Sequence, residues 1–270
     1  ALPIAAQPVP AAYFSFDDSM DGVGPAGKLI ATAKGKPEPA PGNVGQGLRV
    51  GPTFGCIECP TAGVVNRAAG TVEMWVQAQD WQADDPKFHV FFETRGQGAL
   101  YLYKFWTTDK LLMLTAPAVE GPYASSQVTS AFSPGQWHHI AGTWSPTSMA
   151  IYADGGLVAT APRAAVAEAL APTFAVGDNG WHLPHEGATT LVDEVRVYAH
   201  PLSEARIRRL AGQGELRVSR AAGQAVWHVG YTPADPAIVA QAAFEVRPEG
   251  SDEVALSAAG PLQDGSVQTQ

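Results

Sequence analysis

The stretch Thr189–Ala211, TTLVDEVRVYAHPLSEARIRRLA, reads as one strand, a tight turn and one short helix. Side chains of an extended chain alternate between faces. Leu191, Asp193, Val195 and Val197 therefore share one face, and Val192, Glu194, Arg196 and Tyr198 the other. This puts Asp193 on an otherwise apolar face, which is costly unless something pairs with it. In a chain with so few helical signals, a metal ion is a candidate for that partner. Beyond the turn, Ser203 can cap a helix and Glu204 sits in its first turn, where the dipole favours an anion. Arg208 and Arg209 fall late, and Gly212 can end it.

Upstream, the chain is built from short alternating segments. Thr71–Gln79 places Val72, Met74, Val76 and Ala78 on one side and Thr71, Glu73, Trp75 and Gln77 on the other. Tyr13–Phe16, Gly42–Val50, Phe88–Thr94, Ala99–Trp106 and Lys110–Ala116 read as strands, as do Trp137–Trp144, Met149–Ala153, Leu157–Ala161 and Phe174–Gly177. Asp154-Gly155-Gly156 suits a hairpin turn with positive φ. Many short strands at close spacing mean a sandwich or jelly roll. After Gly214 four further strand-like segments suggest a second β unit.

Composition narrows the function classes. The 270 residues include 28 Gly and 22 Pro, an excess that favours turns over long helices. The net charge of −9 argues against nucleic acid or an anionic membrane surface as partner and is compatible with a divalent cation. No apolar run approaches the roughly 20 residues of a membrane helix. Residues 1–10 read as an extended, Pro-broken segment.

Cys56 and Cys59 stand in GCIECP. One such pair does not make a zinc site, and no helix follows to give a redox motif. The expected state is a small loop disulfide in an exported protein, with free thiols as the alternative.

Four segments in this order resemble laminin-G-like jelly rolls of the concanavalin A-like lectin and glucanase superfamily. They are YFSFDD at 13–18 with GQGLRV at 45–50, GTVEMWVQ at 70–77, PGQWHHIAGTWSPTSMAIYADGGLVAT at 134–160 and LVDEVRVYAHPLSEARIRRL at 191–210. The resemblance covers residues 11–212 and implies an all-β fold of two stacked antiparallel sheets, with residues 213–270 as a small or partial second β module. It also implies a structural calcium, with ligand positions matching Asp17 and Asp193 and with Asp18 at a commonly acidic place. Calcium takes six to eight oxygens from carboxylates and carbonyls. The competing reading is that Asp17 starts a turn and Asp193 caps backbone amides.

Catalysis is not expected. A glycoside hydrolase needs two carboxylates flanking the scissile bond. Here Glu73 is followed on its face by Trp75 and Gln77, and Glu194 is flanked by Val192 and Arg196. No lyase, nucleophile-elbow or phosphate-loop motif occurs. Sugars are held by aromatic faces, so Tyr101, Tyr103, Trp106, Trp181 and His182 are expected to form a glycan-binding surface, with Trp81 at its rim. Alternation puts Leu100 and Leu102 in the core and the two tyrosines outward. The expected function is non-catalytic carbohydrate binding. The partners are a polysaccharide or glycan and the catalytic domain of a larger secreted, periplasmic or cell-surface protein. An adhesion module is the alternative, and an unrecognised glycoside hydrolase or lyase a less favoured one.

Overall fold

The computed structural model describes residues 9–82, 85–95, 99–105, 110–116, 123–127, 132–163, 165–177, 187–212, 215–220, 227–232, 241–246 and 256–261. The chain divides into two compact units, Ala1–Leu202 and Ser203–Gln270.

The first unit holds β1 (Ala12–Phe14), β2 (Gly22–Gly24), β3 (Gly27–Leu29), β4 (Thr32–Gly35), β5 (Glu38–Pro41), β6 (Gln46–Val50), β7 (Gly55–Pro60) and β8 (Gly70–Ala78). It continues with β9 (His89–Arg95), β10 (Ala99–Lys104), β11 (Lys110–Ala116), β12 (Tyr123–Gln127), β13 (Trp137–Trp144), β14 (Ser148–Ala153), β15 (Gly156–Pro162), β16 (Thr173–Val176) and β17 (Thr190–Tyr198).

All pairings are antiparallel within two sheets. One runs β15-β14-β13-β8-β17-β1-β2-β3, with β6 also on β17 and β5 on β6; the other runs β12-β11-β10-β9-β16-β7-β4. The apolar halves of the alternating strands face each other. Val72, Met74, Val76, Ile140, Trp144, Val192, Val195 and Val197 from the first sheet join Ile57, Phe92, Leu100, Leu102 and Phe174 from the second in one buried core. This is the expected all-β sandwich, and no helix of the described residues is long and apolar enough to cross a membrane.

The second unit begins with α1 (Glu204–Leu210), capped by Ser203, whose Oγ accepts from the Arg206 amide. Gly212 follows at φ 74, as its place after the helix requires. Its strands form two hairpins, β18 (Glu215–Arg220) with β19 (Trp227–Thr232) and β20 (Gln241–Val246) with β21 (Leu256–Pro261).

Two expectations are corrected. The alternation along β17 does not hold through its length. Asp193 faces Trp75 and Arg196 faces Glu73, so Glu194 and Val195 together oppose Met74 in a bulge. Val192, Val195 and Val197 are the core residues, and Asp193 is not on their face. Cys56 and Cys59 are not joined to each other; both are buried thiols. They lie three residues apart on one strand, a span of roughly 10 Å at 3.3 Å per residue, which a disulfide does not bridge.

Candidate functional site

The bulge in β17 lies where its neighbour changes. Residues 190–192 pair with β6, and residues 195–197 pair with β1. Between those two partners the edge of the sheet splits. The loop leading into β6, Gly42–Gln46, fills the notch.

Asp193 is wholly buried there. The Val44 amide donates to its Oδ2 at 2.9 Å and the Glu194 amide to its Oδ1 at 2.7 Å. Asp17 reaches the same loop from the end of β1, its Oδ1 accepting from the Gln46 amide at 2.8 Å. Glycines make room for both. A Cβ on Gly45, at φ 55, would lie 1.9 Å from Asp17 Oδ1, and one on Gly42 would lie 2.7 Å from Asp193 Oδ2. Asp18 is exposed in the same bend.

No lysine or arginine of the described residues is ion-paired with Asp17 or Asp193. Burial pushes the Asp193 carboxyl up to about 7; its backbone hydrogen bonds pull it down and the neighbouring Glu194 charge adds to the rise. Two carboxylates are hard oxygen donors of the kind calcium takes, and Asp193 is buried with amide N–H groups as its hydrogen-bond partners. No third carboxylate, histidine or cysteine joins the two among the described residues. Backbone carbonyls and water would have to complete the shell.

Beside this notch a row of charged side chains crosses four strands on the face of the first sheet away from the core. The Tyr13 hydroxyl donates to Glu194 Oε1 at 2.7 Å, and Arg196 Nη2 bonds Glu194 Oε2. Arg196 Nη1 donates to Glu73 Oε1 at 3.2 Å, while His139 Nε2 lies 2.8 Å from Glu73 Oε2. The Arg196 guanidinium also lies 4.4 Å from the centre of the Tyr13 ring. Glu73 and His139 are wholly buried. Both oxygens of Glu73 are thus engaged with neighbouring side chains, which leaves none to flank a substrate bond. Burial opposes the Arg196 charge, but the carboxylates of Glu73 and Glu194 outweigh it and hold the group protonated.

The expected aromatic surface is corrected at three positions. Trp81 is 2% exposed and lies in the core, its indole N–H donating to Thr190 Oγ1 at 2.8 Å and its ring stacked on Phe132. Leu100 and Leu102 do face the core, and Tyr101 and Tyr103 face away from it. The two tyrosines are nevertheless only 2% and 6% exposed. They pack in a separate cluster with Phe88, Val90 and Ala99, joined by Phe105. Trp106, Trp181 and His182 lie outside the described residues.

The adjacent histidines face opposite sides of β13, as their spacing requires. His138 Nδ1 lies 2.9 Å from Asp154 Oδ2 while His139 turns to Glu73. The charged row itself has no motif in sequence. Its members come from four strands, and only the register brings them together.

A family profile described as the concanavalin A-like lectin/glucanases superfamily matches residues 54–208, more than half of the chain. No curated protein sequence matches. Among solved structures, the binding domain of Paraclostridial Mosquitocidal Protein 1 aligns at TM-score 0.59 and 10% identity, over 83% of this chain and 64% of that one. The binding domain of botulinum neurotoxin serotype D aligns at TM-score 0.59 and 10% identity, over 82% and 62%. This chain thus spans less than two thirds of those toxin domains. Domain 4 of AbnA, a GH43 extracellular arabinanase from Geobacillus stearothermophilus, in complex with arabinotriose, aligns at TM-score 0.56 and 20% identity, over 76% of this chain and 100% of that one.

Proposed function

The chain belongs to the concanavalin A-like lectin/glucanase superfamily, and from that premise we propose that it is a non-catalytic carbohydrate-binding module with a structural calcium. Its natural setting is a secreted or cell-surface polysaccharide-degrading enzyme whose catalytic domain lies outside this chain. The observation that supports this reading most strongly is the likeness to the arabinanase domain held with arabinotriose, which is covered along its whole length.

The commitment of Glu73 to Arg196 and His139 supports the non-catalytic half of the reading. Asp17 and Asp193 would hold the calcium, with Asp18 available through water. Bound there, the ion supplies the positive charge that two carboxylates on one loop lack. Trp106, Trp181 and His182 are the aromatic candidates for the glycan, which would stack on their ring faces. Residues 213–270 form the second β-rich module of this reading.

Affinity electrophoresis against soluble plant, algal and host polysaccharides, with calcium and with EDTA, tests it. The expected result is retardation by one polymer whose viscosity stays constant, weakened by EDTA and by Trp181→Ala. Breakdown of the polymer would make the chain an enzyme. No retardation by any polymer would favour adhesion to protein.

A further inference from the structure

Two of the three non-glycine residues with positive φ among those described flank the two loop-binding aspartates. Phe16, at φ 62, precedes Asp17, and Glu194, at φ 54, follows Asp193. A side chain in this region is strained, and such a conformation persists only where its surroundings enforce it. At Glu194 the enforcement is visible. Its carboxylate is gripped by Tyr13 and Arg196, and Arg196 is anchored in turn on Glu73. Its amide, aimed by that twisted backbone, donates to Asp193 Oδ1.

We propose that Glu194, clamped by the Tyr13 hydroxyl, is the positioning residue of the Asp17–Asp193 cation site. This rests on the calcium reading above. The clamp turns the backbone at the bulge, the turned amide fixes one oxygen of Asp193, and the other oxygen stays on the Val44 amide. Without the clamp the strand is expected to relax toward ordinary alternation. Asp193 then swings off the loop, and the two carboxylates no longer meet one ion. Groups that orient a metal ligand from behind typically change affinity 10- to 100-fold when lost.

Calcium titration by calorimetry of the metal-free chain tests this, with wild type, Tyr13→Phe, Glu194→Gln and His139→Gln. The first variant removes one oxygen. His139→Gln disturbs the same charged row at Glu73, one step further away, since Glu73 reaches Glu194 only through Arg196. The expected result is calcium binding by wild type, affinity at least tenfold weaker in Tyr13→Phe and Glu194→Gln, and wild-type affinity with a lowered Tm in His139→Gln. The metal-free Tyr13→Phe protein should also exchange the Glu194 amide hydrogen faster than wild type. Wild-type affinity in both clamp variants overturns the proposal and leaves the calcium reading standing. A flat titration of the wild type overturns both. Equal weakening in all three variants would mean general loosening of the sheet and would also overturn it. If Glu194→Gln does not fold, Tyr13→Phe decides alone.

Discussion

Asp17 and Asp193 come from opposite ends of the first unit and take amides only two positions apart in one loop, Gln46 N–H going to Asp17 Oδ1 at 2.8 Å and Val44 N–H to Asp193 Oδ2 at 2.9 Å. The first unit's first and last strands, β1 and β17, are thereby tied through a segment that belongs to neither.

Gly45→Ala should therefore be much costlier than an ordinary glycine replacement. Both Gly45 and Gly63 have positive φ, but a Cβ at Gly63 meets nothing within 4 Å, whereas one at Gly45 meets Asp17 Oδ1 at 1.9 Å. Gly63→Ala is expected to lose about 1–2 kcal/mol from backbone strain alone. Gly45→Ala should lose distinctly more in urea denaturation. Equal losses would show that Asp17 does not rest against the loop.

Arg196 stands between two buried carboxylates. Arg196→Met should cost about 3–5 kcal/mol, the usual cost of leaving a buried charge without its partner. Adding Glu73→Gln to that variant should restore part of the loss, because the uncompensated charge goes with it. Chemical denaturation of the two single variants and the double variant gives the coupling. Strict additivity would argue against the ion pair.

Trp81 is a core residue in this structure, so its variants should change stability and leave any glycan affinity alone. Trp81→Ala should lose about 3–5 kcal/mol, as large aromatic truncations do. Thr190→Val should lose about 1–3 kcal/mol by orphaning the indole N–H. A Thr190→Val protein as stable as wild type would rule out that hydrogen bond.

The two cysteines should titrate as two thiols once the protein is unfolded in guanidinium without reductant, and react slowly when native. Burial pushes the Cys59 thiol up to about 12, with the charges of Asp21 and Glu58 adding to it. Its folded value lies above the unfolded one of about 8.5. The stability tied to Cys59 is therefore intact below that pH and lost as the pH climbs toward the folded value. Fast stoichiometric labelling of the native protein at pH 8 would contradict this burial.

Much of the sandwich is legible in residues such as Val72, Met74 and Val76, because alternation records which face is apolar. Alternation does not record what covers the other face. Tyr101 and Tyr103 point away from the core as their spacing says, yet lie packed with Phe88. The bulge at Glu194 leaves no mark either, because the partner of its carboxylate on the neighbouring strand, Tyr13, is brought to it only by the register. Strands β4, TAKG, and β5, EPAP, escape the reading for a different reason. All four residues of β4 are exposed, and β5 carries two prolines, so neither carries a burial signal. Asp17 and Asp193 stand out in the sequence through the family resemblance, but the glycines that seat them against one loop acquire meaning only in the fold.

The position of β17 has a consequence for how the protein is made. It is bonded to β8 along one side and to β6 and β1 along the other, yet it is the last strand of the first unit to leave the ribosome. At roughly 5–20 residues per second, the start of the chain waits on the order of ten seconds for it. In that interval β1 has only the short β2 beside it, and β6 only β5. A nascent chain stalled before Thr190 would present open strand edges to its neighbours, and a chaperone that shields them would matter most at that length.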